Sequence, residues 1–488
     1  MFKSLSNKLD SPSIEKEILK FWDKNNIFLK TQDANNYSKE FNLYEGPPTA
    51  NGSPGIHHVL ARVFKDIIPR YKTMKGYRTT RKGGWDTHGL PVELEIEKKL
   101  GLKNKHEIEN YGIEKFNQKC KESVFQYVSE WENMTKRIGY WVDMSNPYVT
   151  LSNEYIESGW WIFSKLWEKD LVYRDLKGTP HCPRCVTSLS SHEVALGYKE
   201  NTKDPSVFIK FKIKDFSPSL ANSKLLPKNI PVFFLAWTTT PWTLPGNTAL
   251  AINETAEYSL ILLEKSSPEI LIVASSLVEK IITEPHSIIL TIPGKELTKT
   301  TYFPLYDPSE NKVEITNLGN NPSNYDPYVL AADFVDLNEG TGIVHIAPGF
   351  GAEDLELGKK EGLNFIQHVN LQGKIVGNYS FSGKFVKSAD SLIITELENQ
   401  NLLYKNEIYL HSYPYCWRCD SPLLYYAKFS WYIKTTKFKT LLLKENEKIN
   451  WHPSHIKTGR FGEWLKNNVD WAISRERYWG TPLPIWIC

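Results

Sequence analysis

Gly46-Pro47-Pro48-Thr49-Ala50-Asn51-Gly52-Ser53-Pro54-Gly55-Ile56-His57-His58 decides how this chain reads. Ahead of it, Phe41 and Leu43 alternate as the end of a buried strand. After it, Val59, Leu60, Val63, Phe64, Ile67, Ile68 and Tyr71 recur at helical spacing, and Pro69 within the run predicts a kink. A strand, a Gly/Pro turn and a helix start aim free backbone N–H groups at the turn, which is an anion site before any side chain is added. His57 and His58 at its mouth supply donors for phosphate oxygens without the permanent charge of lysine. A proline-rich turn with two surface histidines is the competing reading.

A second run follows, Gly84-Trp85-Asp86-Thr87-His88-Gly89-Leu90-Pro91-Val92-Glu93. With it the chain resembles the class I aminoacyl-tRNA synthetases and, within them, the isoleucyl-tRNA synthetases. The nucleotide signature of that family is His-x-Gly-His directly after a Gly-Pro-Pro turn. Here the four positions are Gly55-Ile56-His57-His58, so the first His and the Gly have traded places. The resemblance implies that Gly55, His57 and His58 bind ATP, with both histidines acting catalytically on the triphosphate. It further implies that Asp86 pairs with the substrate ammonium and that Pro47 lines the side-chain pocket. Asp86 as a helix cap is the alternative. The implied partners are L-isoleucine, ATP with Mg2+, and tRNA(Ile).

Length and composition fit a large enzyme: 488 residues give two to four domains, with 41% hydrophobic and 24% charged residues. A net charge of +3 is too small to argue a nucleic-acid partner by itself. The basic run Lys65, Arg70, Lys72, Lys75, Arg78, Arg81, Lys82, opposed only by Asp66, is either a phosphate-contacting patch or a solvated face. No stretch is long and apolar enough to span a membrane, and the Met1–Asn7 opening is no signal peptide, so a cytoplasmic protein is expected. A monomer is the expected state. No internal repeat is found.

Four of the six cysteines form two Cys-x-x-Cys turns, Cys182–Cys185 and Cys416–Cys419. Each turn holds two thiolates for one tetrahedral ion, so together they make an S4 zinc site. Two redox disulfides or two unrelated pairs are the alternatives, the redox reading disfavoured because neither turn joins a strand to a helix as in thioredoxin. Arg184 and Arg418 favour thiolate over thiol. Cys120 lies in a helical pattern with Phe116 and Val124 and reads as core.

A shared metal requires the intervening chain to leave and return, as an inserted domain does. Val207–Ile213, Val232–Trp237, Tyr258–Leu263 and Ile270–Val273 read as strands separated by Pro/Ser/Asn turns, with Ser217–Asn229 as a surface loop. Upstream the chain is helix-rich, and Ser11-Pro12 opens a helix with Ile14, Ile18, Phe21 and Trp22 on one face. Two segments mark the insert: Trp237-Thr238-Thr239-Thr240-Pro241-Trp242-Thr243-Leu244-Pro245-Gly246-Asn247, and Gly340 to Asp354 around His345. Together they resemble the editing domain of the isoleucine, valine and leucine enzymes. That likeness implies Thr238, Thr239, Thr240 and His345 around an ester, with Asp354 facing an α-ammonium.

The expected fold is α/β: the first half of a class I synthetase Rossmann-like fold carrying an inserted β-rich, barrel-like editing domain on a zinc ribbon. The boundaries are a helical extension over 1–40, the first half of the catalytic domain over 41–178, ribbon segments over 179–199 and 406–425, the editing domain over 200–405, and a return into the catalytic domain over 426–488. In the family a second half follows, with a Lys-Met-Ser-Lys-Ser loop and an anticodon-binding region, so an exposed apolar seam is expected here. The implied activity is ATP-dependent attachment of isoleucine to tRNA with hydrolysis of misattached valine. A free-standing tRNA-binding or editing factor is the alternative.

Overall fold

The protein is described by a computed structural model covering residues 9–33, 39–49, 51–218, 220, 230–319 and 325–488. Met1–Asn7 and most of the Ser217–Asn229 loop lie outside these. By contacts the chain divides into Met1–Val172 with Glu476–Cys488, and Tyr173–Arg475.

The first unit is helical, with two short parallel strand pairs. Lys39–Asn42 pairs in parallel with Tyr77–Thr80, and the helix Ile56–Met74 crosses between them, as a parallel connection requires. Phe41 is half-buried rather than buried, because among the described residues this sheet has two strands. Lys82–Trp85 pairs in parallel with Asp143–Val149. Val92, Ile96, Ile108, Phe116, Cys120 and Val124 form a core, so Cys120 sits where its helical pattern placed it.

Helix Ile56–Met74 runs through Pro69, yet its apolar side is bare: Leu60, Phe64 and Ile67 are 60%, 68% and 58% exposed. The first helix, Ser11–Lys24, is capped by Asp10 and not by Ser11; the Asp10 carboxylate accepts from the Ser13 N–H, and Pro12 falls inside the first turn. None of its residues is buried, so the Ile14/Ile18/Phe21 face is not core within the described residues.

In the second unit all four segments read as strands are strands. Six strands close on themselves. Val232–Thr238 pairs with Ile343–Ile346, and Ala249–Ile252, Tyr328–Ala331, Thr301–Tyr302 and Tyr198–Asp215 follow in turn. The last of these returns to Val232–Thr238 with Val207 opposite Thr238 and Lys212 opposite Phe233. The result is a closed six-stranded barrel within a larger sheet. Glu269–Ala274, Glu257–Leu263 and His286–Pro293 extend the sheet on one side, and Leu403–Pro414 lies along Tyr198–Asp215 on the other. Phe211, Phe234, Leu260, Ile272 and Tyr302 fill the core. Lys210 is buried among them with its charge matched by Glu269 at 2.9 Å, the pairing a buried ammonium needs.

Ser217 and Leu220 are buried, so the start of the Ser217–Asn229 segment is not a surface loop. The Ser217 N–H donates to Thr300 Oγ1 at 3.1 Å, and Leu220 joins the main core.

Candidate functional site

In the first unit Gly55 caps helix Ile56–Met74, and its N–H donates to His58 Nδ1 at 2.8 Å. Nδ1 therefore accepts, and the proton of the neutral ring sits on Nε2, facing away from the cap. Burial, then the neighbouring His57 and Arg62 charges, hold His58 below the usual imidazole range, so it is neutral at neutral pH. The traded signature is matched within itself: a Cβ on Gly55 would come within 2.9 Å of the His57 ring, so the ring occupies the room a side chain there would need.

Trp131, on helix Ile113–Arg137, anchors this turn. Its indole N–H donates to Gly52 O at 2.9 Å, the His58 ring lies 4.5 Å away, and the Arg62 guanidinium stacks at 4.7 Å. Trp131→Ala should cost about 3–5 kcal/mol, the usual range for a buried aromatic truncated to alanine. Urea unfolding of the 488-residue protein measures this, and a change under about 1 kcal/mol would contradict the anchor.

Asp86 is not a helix cap, because the helix Leu90–Leu100 is capped by Gly89. Its N–H donates to Pro48 O at 3.0 Å and its carboxylate accepts from Thr49 Oγ1 at 3.2 Å. The Asp86 strand end thus binds the Pro47–Thr49 turn beside the signature. Glu93 was missed from sequence. Its buried carboxylate accepts from the backbone N–H groups of Tyr478 and Trp479 at 2.7 and 2.8 Å, fixing the returning segment. The basic run is largely consumed internally: Lys65 pairs with Glu45, Arg70 and Arg81 share Asp66, and Arg81 is 2% exposed. These partners favour a structural face over a phosphate patch.

In the second unit Cys182, Cys185, Cys416 and Cys419 present sulfurs all within 4.8 Å of one another. No disulfide joins them. Cys182 ends a strand, the Cys185 N–H donates to its Sγ at 3.4 Å, and the residue after each pair, Val186 or Asp420, takes a positive φ of 49° or 60°. Those two residues turn the chain back around the sulfurs. Four convergent thiolates suit a tetrahedral soft-metal site.

The two insert segments meet in the barrel. Thr238 Oγ1 lies 3.2 Å from Thr240 Oγ1, which lies 3.3 Å from Thr243 Oγ1. His345, 7% exposed, places Nε2 2.9 Å from Thr243 Oγ1 and Nδ1 2.9 Å from Asn247 Nδ2. Burial drives His345 down to about 3, so the ring stays neutral. Thr239 is half-buried beside these hydroxyls in sequence but joins none of these hydrogen bonds among the described residues. Asp354 is also outside the chain of contacts; its Oδ2 accepts from the Ala347 N–H at 2.8 Å in the first turn of helix Ala352–Glu361. Burial raises Asp354 to about 6.

Thr243, Asn247, Tyr302 and Asp390 hydrogen-bond within or beside this cluster, and sequence reading passed them over. Asp390 accepts from the Trp242 N–H at 2.9 Å and so pins the Pro241–Gly246 turn. Nothing local in the sequence links Tyr302 or Asp390 to the Thr-rich segment; Thr243 and Asn247 were at least within it.

A profile described as tRNA synthetases class I (I, L, M and V) matches residues 17–488. The chain belongs to the class I tRNA synthetase family. An isoleucine--tRNA ligase of Dehalococcoides mccartyi is 53% identical over 498 residues, spanning 100% of this chain and 49% of that protein. The isoleucine--tRNA ligase of Thermus thermophilus is 50% identical over 491 residues, spanning 100% of this chain and 44% of that protein. The synthetase chain described here therefore spans about half the length of the curated relatives it matches. Among the described residues, no helix is long and apolar enough to cross a membrane.

Proposed function

We propose that these residues belong to an enzyme that attaches isoleucine to its tRNA and hydrolyses valine attached in error. The observation that carries this reading is identity of about half across the entire chain to isoleucine--tRNA ligases. The amino-acid carboxylate attacks the α-phosphate of ATP and pyrophosphate leaves, giving an isoleucyl-adenylate; a hydroxyl of the terminal adenosine of tRNA then takes the acyl group and AMP leaves. Catalysis of this kind is mostly positioning and charge stabilisation.

His57 and the Nε2–H of His58 contact the triphosphate at the helix start, with Mg2+ accompanying ATP. Asp86, held by Thr49 and Pro48, receives the ammonium, and Pro47 lines the side-chain pocket. Such an apolar pocket cannot reject valine strongly, because valine leaves only a methylene-sized gap. The barrel supplies the second site. Thr238, Thr239, Thr240 and His345 surround the ester, and Asp354 holds the α-ammonium. Cys182, Cys185, Cys416 and Cys419 would hold one zinc, which with four thiolate ligands would serve as a structural tie and not as a catalytic metal.

The test is hydrolysis of Val-tRNA(Ile) by the 488-residue protein, set against Ile-tRNA(Ile). Faster release of valine is expected. No release of either amino acid would overturn the editing part of the reading. Isoleucine-dependent ATP–pyrophosphate exchange, assayed in protein that also carries the second half of the catalytic fold, separates a synthetase from a dedicated editing factor.

A further inference from the structure

The Thr-rich segment and His345 are joined by a buried hydrogen-bond chain that has a direction, and the direction is set from an unexpected place. Asn247 lies at its far end, 2% exposed. Its Nδ2 donates to Ala249 O at 2.9 Å, and its Oδ1 accepts from the hydroxyl of Tyr302 at 2.7 Å. A carbonyl on one side and a phenol on the other leave the amide one orientation, because the flipped amide would oppose Oδ1 to the Ala249 carbonyl. In that orientation Nδ2 also donates to His345 Nδ1. Nδ1 is then the acceptor of the ring, and the single proton of neutral His345 must sit on Nε2.

That proton fixes everything downstream. His345 Nε2–H donates to Thr243 Oγ1, and the Thr243 hydroxyl donates to Thr240 O at 2.8 Å. With its hydrogen spent, Thr243 can only accept from Thr240, and Thr240 in turn accepts from Thr238. The opposite tautomer would turn the Thr243 hydroxyl toward His345 and leave Thr240 O with the Thr243 N–H, at 2.9 Å, in place of two donors.

We propose that Asn247, clamped by Tyr302 and the Ala249 carbonyl, locks His345 as the Nε2–H tautomer and so sets the polarity of the threonine hydroxyls. His345 serves as a fixed donor and not as a base, since both ring nitrogens are already engaged. Asn247 and Tyr302 are positioning residues: they act on the ester site through His345 and Thr243. The inference rests on the editing reading for its purpose, and on hydrogen bonding alone for the lock itself.

Nitrogen-15 NMR of the 488-residue protein labelled at histidine tests the lock directly, with His345→Gln identifying the signal. In the wild type the His345 proton should reside on Nε2, with Nδ1 bare; a proton on Nδ1 would overturn the proposal. Asn247→Asp places an oxygen against Nδ1 and should transfer the proton there, and an unchanged tautomer in a folded variant would count against the lock. Tyr302→Phe keeps the ring packing and removes only the donor to Oδ1. Its kcat for Val-tRNA(Ile) hydrolysis should fall about tenfold at unchanged KM, the size expected for one buried hydrogen bond. A wild-type rate in Tyr302→Phe would remove Tyr302 from the positioning set. If the wild type carries the proton on Nε2 yet hydrolyses no Val-tRNA(Ile), the lock stands and the editing reading fails.

Discussion

Replacing Cys416 by serine should release the zinc and lower the melting temperature by about 10 °C or more, since structural zinc contributes on the order of 10 kcal/mol to small folds. The serine oxygen is a poor match for a soft site, and the three remaining thiolates lose the charge that lets them stay buried together. Cys182 and Cys419 are 237 positions apart, so a metal held by both pairs would also close a very long loop. The pairing of Tyr198–Asp215 with Leu403–Pro414 holds the same loop independently of the metal. Two calorimetric transitions should therefore separate in Cys416→Ser, the ribbon melting early and the barrel late. Metal analysis of the freshly purified wild type should give one zinc per chain. Zinc-free protein, or disulfides within both pairs, would remove the prediction's basis.

Asp354→Asn should slow Val-tRNA(Ile) hydrolysis about 100-fold, the loss expected when a charge-assisted contact of roughly 2–3 kcal/mol becomes a neutral one. Isoleucine activation, measured in protein that also carries the second catalytic half, should not change, because Asp354 and the nucleotide signature belong to different compact units. Burial raises the Asp354 carboxyl to about 6, so only above that pH is it ionised and ready for an ammonium. In the wild type kcat/KM for hydrolysis should rise with pH through about 6 and then level, and in Asp354→Asn that rise should vanish. Stability carries the opposite sign. A raised carboxyl favours the fold while protonated, so this contribution is full below the ordinary carboxylate value and is lost as pH rises through about 6. Retained hydrolysis with lost activation in Asp354→Asn would reverse the assignment of the two sites.

The strands and the two cysteine turns could be read directly because each is written in consecutive residues. Val232–Trp237 is a run of apolar side chains, and it became a buried strand. The contacts that arm the barrel could not be read this way. Tyr302 and His345 meet Asn247 from 55 and 98 positions away, distances bridged only once the sheet order is known. Asp10 displaced Ser11 as a cap because both are good caps one residue apart, and pattern alone does not choose between them. The helical period of Ile56–Met74 was clear, but period says which residues share a face, not what covers it. Leu60 and Phe64 stand open to solvent despite that pattern.

The meeting of Gly197 with Tyr415 bears on how such a barrel could come to sit inside another protein. The Tyr415 N–H donates to Gly197 O at 2.8 Å, and any Cβ at Gly197 would collide with the Tyr415 carbonyl. Departing and returning strands thus run side by side from Tyr198 opposite Pro414 onward. Seen from the host, some two hundred residues amount to the tip of one hairpin. The host closes no loop wider than the hairpin it began with, so the module's length adds almost nothing to the chain entropy of its surroundings. A β-hairpin of an unrelated protein, cut at its turn and joined to Gly197 and Tyr415, should accept the barrel as a graft.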